Sequence, residues 1–210
     1  MPSYTTKAKV ENYLALTIDN PLNEQIDEWI KAVSNWINNY TGRTFEAAGE
    51  ATVMKYDGNG EIRLPIDDCT EITKLVIDEQ EISSDDYYLY PANEPVKTSI
   101  ELKQGIPRNS RFTEQAIFVF EKGQQNVEVT AKFGWNETPP DIALAATKLM
   151  GGIVKEAVGD HDVKELTSEA LGDYRASYAG IADIAHALKV QELLAPYLKN
   201  KGARTGAILI

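Results

Sequence analysis

The sequence has few of the residues on which catalysis and cross-linking usually depend. Among its 210 residues, one is cysteine and two are histidine. Cys69 is alone, so an internal disulfide is excluded, and this fits a reducing compartment. Because no histidine lies near Cys69 in the sequence to activate its thiol, we interpret it as a small residue of a strand or turn rather than a nucleophile.

Motifs of common active sites are also missing. The sequence has no phosphate-binding glycine loop, no dinucleotide fingerprint, no serine elbow and no paired CxxC. His161 lies between Asp160 and Asp162, but three adjacent loop residues make a poor tetrahedral metal site. His186 has no ligand partner one turn later and is assigned to a helix surface or an interface. We predict no catalytic residue, no metal and no cofactor, although a hydrolase with an unmarked carboxylate pair stays an alternative.

Long hydrophobic runs are absent as well. No segment approaches the roughly 18 apolar residues that a membrane span requires. The opening residues, MPSYTTKAKVENY, lack the charged-then-apolar pattern of a signal peptide. We therefore expect a protein that is made and used without export and has no membrane partner.

Positive charge is scarce relative to negative charge. The chain has 21 basic and 32 acidic residues, a net charge of −11. A general nucleic-acid binder needs clustered Lys and Arg, so that class is not expected. An acidic wall can still surround DNA without gripping it, because its repulsion reaches about 8 Å at physiological salt. Acidity that only serves solubility explains the composition equally well.

The acidic residues concentrate in one stretch, 67–94, in which Lys74 is the one base. The candidate acidic patch, for a DNA channel or a partner, consists of Asp67, Asp68, Glu71, Asp78, Glu79, Glu81, Asp85 and Asp86. Near the C-terminus the sign reverses, with Lys189, Lys199, Lys201 and Arg204. Opposite charges on one subunit suit head-to-tail packing in a ring, although a solvated surface is the commoner reason for such runs.

Two helices are predicted at the N-terminus. Thr5 or Thr6 can cap a short helix that continues to Leu16. Asn20-Pro21 is typical of the start of a second helix, which Gly42 ends. Its apolar stripe, at spacings of three and four, is Ile26, Trp29, Ile30, Val33, Ile37 and Tyr40.

Strand patterns follow from about residue 51 to 133. The segment 57–61, DGNGE, is predicted to be a hairpin turn between two short strands. Further strand candidates are ITKLVID, DYYLY, TSIELK, AIFVFEK and NVEVTAKF. In the last of these, Val127, Val129, Ala131 and Phe133 alternate with polar residues.

Helical spacing resumes after Pro139-Pro140. The predicted buried stripe is Ile142, Ala145, Ala146, Leu149 and Ile153. Gly151-Gly152 weakens this helix by about 1 kcal/mol per glycine relative to alanine, so we expect a neighbouring element to press against that point. A final helix should run from about Ile181 and end or kink at Pro196.

The predicted fold class is α+β, a helical bundle with an inserted antiparallel sheet or small barrel. The expected parts are an N-terminal helical part (1–48), a β insert (49–136), a C-terminal helical part (137–199) and a tail (200–210). The tail ends in Ala207, Ile208, Leu209 and Ile210, which are apolar and too few to fold alone. This end can add to another chain, return to its own core or be disordered.

The order of segments resembles the phage head–tail connector (adaptor) family. IDEWIKAVSNWINNYTGRTF resembles its N-terminal signature, a helix that ends in a Tyr-Thr-Gly-Arg turn with a following aromatic, here Tyr40 to Arg43 and Phe45. The strands from Gly60 to Tyr90 resemble the β insert of longer members. FGWNETPPDIALAATKLMGGIVKE, LGDYRASYAG and LLAPYLK resemble the later helical segments.

The resemblance implies a non-enzymatic ring, typically of about twelve copies, docked beneath the portal in a virion neck and assembled in the bacterial cytoplasm. Its implied partners are copies of itself, the portal protein, the next neck or tail-completion protein, and passing DNA without sequence-specific binding. Candidate interface residues are Trp36, Tyr40, Arg43, Leu171, Asp173, Tyr174, His186, Tyr197 and the four tail residues Ala207 to Ile210. The alternative is a monomeric or dimeric α+β protein-binding module of the inhibitor or receptor-binding type.

Overall fold

The computed structural model describes residues 3–18, 22–103, 119–158 and 178–199. Contacts divide the chain into two compact units, Met1–Phe45 with Thr138–Ile210 and Glu46–Glu137. We call them the helical unit and the sheet unit. Five helices and an antiparallel six-stranded sheet in the described residues confirm the predicted α+β class.

The helical unit is built from the two ends of the chain. Its helices are α1 (Lys7–Leu14), α2 (Leu22–Thr41), α3 (Pro140–Val158), α4 (Tyr178–Ala187) and α5 (Val190–Leu194), followed by a 3₁₀ turn at Ala195–Tyr197. The Thr6 side chain accepts a hydrogen bond from the Lys9 N–H, so the predicted N-cap of α1 is confirmed. Helix α1 ends at Leu14 rather than Leu16, because Ala15 adopts the left-handed conformation.

The apolar stripe of α2 faces the core as predicted. Its buried side chains are Ile26, Trp29, Ile30, Val33 and Ile37. Gly42, at φ 68°, stops the helix in the left-handed conformation that glycine adopts at low cost. The predicted start at Asn20 and Pro21 lies outside the described residues.

Helix α3 lies against both α1 and α4 at its paired glycines. All five residues of its predicted stripe are fully buried. A Cβ added to Gly151 would lie 2.9 Å from Tyr13 Cε1 of α1, and one added to Gly152 would lie 2.5 Å from Ile184 Cγ2 of α4. The expectation of a neighbour pressed against the glycines is therefore confirmed on two sides.

The last helix is broken earlier than its sequence indicated. Lys189 adopts a left-handed conformation, φ 52°, and separates α4 from α5. Pro196 then lies in the 3₁₀ turn, where the helical path ends. The apolar spacing of the sequence indicates Ile184, Leu188 and Leu194 as the positions facing the core; Leu194 is fully buried, but Leu188 is 37% exposed and Val190 is fully buried in its place. The break at Lys189 rotates the following turn, so a single helical period does not describe both pieces.

The sheet unit contains strands β1 to β6. Their bounds are β1 (Thr52–Gly58), β2 (Arg63–Ile77), β3 (Gln80–Ile82), β4 (Tyr87–Tyr90), β5 (Lys97–Leu102) and β6 (Gly123–Phe133). The order is β1-β6-β2-β5-β4, with β3 paired to β2, and every pairing is antiparallel. The long β2 pairs with β5 through its first half and with β6 through its second, with register shifts that let it bend.

The predicted hairpin at residues 57–61 is wrong. Strands β1 and β2 each pair with β6, which lies between them. The Gly60 N–H donates to the Phe120 carbonyl at 2.7 Å, and the Asn59 side chain bonds the Glu61 N–H and the Arg63 carbonyl. The glycine-rich segment is therefore a crossing between non-adjacent strands. The predicted strand AIFVFEK begins outside the described residues, and its described part, 119–122, is not a strand.

The core of the sheet unit follows the predicted alternation of β6. Val127, Val129 and Ala131 are fully buried, and Phe133 is partly buried against them. Cys69 is buried in the same core. Burial, followed by the nearby carboxylates of Asp68 and Asp67, raises the pKa of the Cys69 thiol to about 12, so the thiolate that a nucleophile requires is disfavoured.

Candidate interaction surfaces

The turn after α2 is held by its own side chains. The Thr41 hydroxyl donates to the Ile37 carbonyl at 2.8 Å and accepts from the Arg43 N–H at 3.3 Å. The Gly42 N–H donates to the Asn38 carbonyl at 2.8 Å. These bonds fix the direction in which the chain leaves the helix.

Phe45, the aromatic that follows this turn, organises one end of the helical unit. Its fully buried ring makes edge contacts with Tyr4 and Tyr197, at centroid distances of 5.9 and 5.5 Å. The Tyr4 hydroxyl accepts from the Phe45 N–H at 2.8 Å and donates to Asn38 Oδ1 at 2.6 Å. The Thr138 hydroxyl donates to the Phe45 carbonyl at 3.0 Å. We call Tyr4, Asn38, Phe45, Thr138 and Tyr197 the Phe45 cluster.

Three predicted interface residues lie at or beside the Phe45 cluster and are partly exposed. Tyr197 belongs to the cluster. Arg43 lies in the turn that leads into Phe45, and Tyr40 lies in the last turn of α2, just before that turn. The Tyr197 hydroxyl lies 3.5 Å from Asp141 Oδ2. Burial and the negative charge of Asp141 raise the pKa of the Tyr197 hydroxyl, which keeps it protonated. A rigid cluster with half-buried Tyr and Arg at its margin has the composition of a binding surface.

Trp36 differs from these neighbours. It is 2% exposed, and Tyr40 stacks on it with a centroid distance of 5.1 Å and an angle of 10° between the rings. The sequence suggested Trp36 as an interface residue, but in this structure it is a core residue that supports Tyr40. His186, in contrast, is exposed on α4.

The other candidate interface residues cannot be placed. Leu171, Asp173, Tyr174, Ala207, Ile208, Leu209 and Ile210 lie outside the described residues. The structure therefore brings together Tyr40, Arg43 and Tyr197, and leaves His186 on a separate helix.

One member of the candidate acidic patch is internal. Asp68 is 8% exposed and its carboxylate accepts a hydrogen bond from Trp135 Nε1 at 3.2 Å. Its carbonyl accepts from the Gly134 N–H at 2.8 Å. Asp68 therefore fixes the end of β6 and does not belong to an exposed patch. No local pattern indicates this pairing, because the two partners are 67 residues apart.

Two other acids of the patch form ion pairs across the sheet. Glu81 Oε2 lies 3.2 Å from Lys74 Nζ, and Glu71 Oε2 lies 2.6 Å from Lys132 Nζ. The hydrogen bond to Glu71 and its charge raise the pKa of Lys132. Lys132 lies outside the run 67–94, so the charge count of that run does not include it. Strand β6 places Lys132 opposite Glu71.

The exposed acids that remain are separated into small groups. Asp78 and Glu79 form the two-residue turn between β2 and β3, with φ of 48° and 65°. They line a groove of about 570 Å³ that also contains the lysines of two ion pairs, Lys55–Glu128 and Lys74–Glu81. Asp85 and Asp86 lie in a 3₁₀ turn, and Asp67 accepts from the Tyr56 hydroxyl at 3.2 Å.

A pair of tyrosines on β4 was not anticipated. Tyr88 is 52% exposed, and the Lys103 ammonium lies 4.6 Å from its ring centroid. The Arg63 guanidinium lies 4.2 Å from the Tyr90 ring, and its Nε donates to Glu101 Oε2 at 2.8 Å. The strand pattern DYYLY could have indicated this pair, because side chains two residues apart on a strand lie on the same side. Tyr88 and Tyr90 therefore share the side opposite the buried Tyr87.

The described residues contain neither a metal-binding group nor a membrane-spanning helix. No group of three or more His, Cys, Asp or Glu side chains in the described residues has the arrangement to hold a metal ion. None of the described helices combines the length and hydropathy that a membrane crossing needs. Half-buried aromatic residues and an arginine, as found beside the Phe45 cluster, are residue types enriched in protein–protein interfaces.

Comparison with known proteins identifies the family. No curated protein matches the sequence. A solved structure described as the neck of an empty GTA particle computed with C6 symmetry has a TM-score of 0.49 and 13% identity, over 92% of this chain and 88% of that one. Those values are too low to carry an argument about function. Residues 3–163, however, match the Head completion protein family. The chain therefore belongs to the Head completion protein family, and the resemblance noted in its sequence is confirmed.

Proposed function

We propose that this protein is a structural ring subunit in the neck of a tailed phage or prophage, where it connects the portal to the next neck or tail-completion protein. The observation that carries the proposal is the family match over residues 3–163. Membership in a head completion family supports a structural role at the neck of the particle. Such a subunit would catalyse no reaction. Its role would be to hold the neighbouring proteins of the neck in position.

The ring would be closed by contacts between unlike faces of neighbouring copies, about twelve in number. Each contact would bury on the order of 800 Å² per partner, the size of an ordinary stable interface. The margin of the Phe45 cluster supports this proposal, because Tyr40, Arg43 and Tyr197 are partly exposed on a support that hydrogen bonds hold rigid. Such a surface loses little conformational freedom on binding.

The sheet unit would contribute acidic side chains to the channel wall or to a partner. The exposed members of the predicted patch include Asp67, Asp78, Glu79 and Asp85, and Asp86 is partly exposed. A wall of this kind repels DNA only within about 8 Å, so passing DNA would be kept from adhering without being bound.

The tail residues 207–210 are proposed as a docking arm toward the portal or a sister subunit. Deleting residues 205–210 should reduce binding to purified portal rings, measured by co-sedimentation. The same deletion should leave the unfolding midpoint of the chain unchanged if the tail acts only in docking. Unchanged portal binding would rule out this role.

The function can be tested by complementation in vitro. DNA-filled heads made without this protein should fail to join tails, and the purified chain added to them should restore infectious particles. Tyr40→Ser should lower the yield, whereas Lys31→Ser, at an exposed position of the same helix outside the predicted interface, should not. Heads that join tails equally well without the protein would contradict the proposal.

A further inference from the structure

In the part of the chain that the structure describes, the main path of the sheet ends in two edge strands, and the three-residue β3 is a third, shorter edge beside β2. Strand β1 pairs with β6 on one side, and β4 pairs with β5 on one side. The outer side of an edge strand presents backbone N–H and C=O groups that another strand can pair with. The two edges that end the main path are unlike in sequence: TVMKYDG and YYLY.

Exposed apolar side chains concentrate on these two strands. In the described part of the sheet unit, the large exposed hydrophobic residues are Val53 (57%), Met54 (37%), Ile62 (38%) and Tyr88 (52%). The first two belong to β1 and the last to β4. Val53 is opposite Thr130 and Tyr88 is opposite Glu101, so both lie on the outer, polar face of the sheet.

Among the described residues, β1 lacks the usual protection of an edge, and β4 has only its short length of four residues. Natural edges are commonly guarded by proline, by a free lysine or by a bulge in the middle of the strand. Neither strand contains proline, and the irregularity of β1 lies at its end, between Tyr56 and Gly58. Lys55 is the one lysine of β1, and its Nζ lies 2.8 Å from Glu128 on the neighbouring strand, directed inward rather than across the edge.

The β4 edge is also held in place before any partner arrives. Lys103 Nζ donates to the Asp85 carbonyl while it lies over the Tyr88 ring. Arg63 bonds Glu101 while it lies over the Tyr90 ring. Tyrosines that are already oriented lose little rotamer freedom when they are covered, which favours association.

We propose that β1 of one copy pairs with β4 of the next copy, so that the sheets of neighbouring subunits join edge to edge. This inference rests on the ring proposed above. Pairing between these unlike edges uses β1 and β4 once per copy, so that neither stays open when a ring closes. Pairing between two β1 edges would instead stop at a dimer and leave both β4 edges open. On the outer face, the β-branched Val53 beside the aromatic Tyr88 would be a favoured kind of cross-strand pair.

Cross-linking tests this pairing in the full chain assembled on portal rings. The double variant Val53→Cys/Tyr88→Cys, treated with a short bismaleimide, should give a ladder of covalent oligomers. Each single variant should stay monomeric in a denaturing gel, because its cysteine would face a residue that is not cysteine. The natural Cys69 is fully buried and should contribute no background.

The outcomes separate this inference from the proposed function. Portal-bound rings that give no ladder overturn the edge pairing and leave the ring intact. Dimers formed by Val53→Cys alone overturn it in favour of two-fold β1 pairing. If no rings form on the portal, the proposed function fails and the edge pairing fails with it.

A charge placed on the edge gives a second test. Val53→Lys should weaken assembly of the copies by about tenfold or more, since a solvated ammonium guards an edge. Thr130→Lys adds the same charge to β6, which at that position is paired with β1 on one side and β2 on the other, and should assemble like the natural chain. Equal assembly by both variants would contradict the pairing.

Discussion

The Tyr4 hydroxyl joins three parts of the helical unit at the scale of a single residue. It links the N-terminal segment to Asn38 on α2 and to the backbone of Phe45. The motif Tyr-Thr-Gly-Arg with its following aromatic thus has a structural meaning: the turn directs Phe45 into the contact that Tyr4 and Tyr197 close.

Tyr4→Phe should lower the free energy of unfolding by about 1–3 kcal/mol, because it removes two hydrogen bonds at a buried site. Urea denaturation followed by circular dichroism measures this change. Tyr13→Phe, which removes a hydroxyl from a ring that is 47% exposed, should change the free energy by less than about 0.5 kcal/mol. Equal effects of the two substitutions would show that the Tyr4 hydroxyl does not hold the cluster.

Cys69 should react very slowly with a thiol reagent at pH 8 in the folded protein and rapidly after unfolding. Its folded pKa of about 12 lies above the ordinary value of 9.0, so the folded state keeps the proton that the unfolded state loses. The resulting contribution to stability is complete below pH 9.0 and declines as the pH rises toward 12. Cys69→Ala should show less of this decline, and rapid labelling of the native thiol would contradict its burial.

At the scale of elements, local patterns predicted the helices better than the strand pairing. The stripes of α2 and α3 and the alternation of β6 depend on nearest neighbours in sequence, and all were confirmed. The hairpin at 57–61 failed because β6, far away in sequence, lies between β1 and β2. The break at Lys189 was also missed, since a left-handed lysine leaves no glycine or proline as a sign.

For the candidate surface residues, too, local patterns in the sequence were more informative than contacts between distant residues. Tyr40, Arg43 and Tyr197 were found from the motif and the last segment, and the structure places all three, partly exposed, at one end of the helical unit. Trp36, a candidate interface residue, is buried, and Tyr40 stacks on it from one turn later on the same helix, a contact that helical spacing allows. Asp68, a candidate member of the acidic patch, is bonded by Trp135, which is 67 residues away and leaves no local pattern.

Gly152→Ala should destabilise the helical unit by about 1–3 kcal/mol although alanine favours a helix, because the added Cβ would lie 2.5 Å from Ile184 Cγ2. Thermal unfolding measures the change. Gly49→Ala meets nothing within 4 Å and is the matched control, expected to be close to neutral. A Gly152→Ala variant as stable as the natural chain would mean that α4 can retreat from α3 at little cost.

At the scale of the whole molecule, the net charge of −11 sets what the ring can do with DNA. The chain should show no binding to duplex DNA at physiological salt in fluorescence anisotropy, because clustered cations are needed to release counterions. Binding that weakens steeply as salt rises would reveal a basic surface that the described residues do not present.

The proposed function depends on copies of this chain closing into a ring on the portal. Cryo-electron microscopy of the purified chain mixed with portal rings would show whether they do. We expect a closed ring on one face of the portal, coaxial with its channel, in which each copy meets the next through unlike faces. A portal that stays bare while the chain remains monomeric would contradict it.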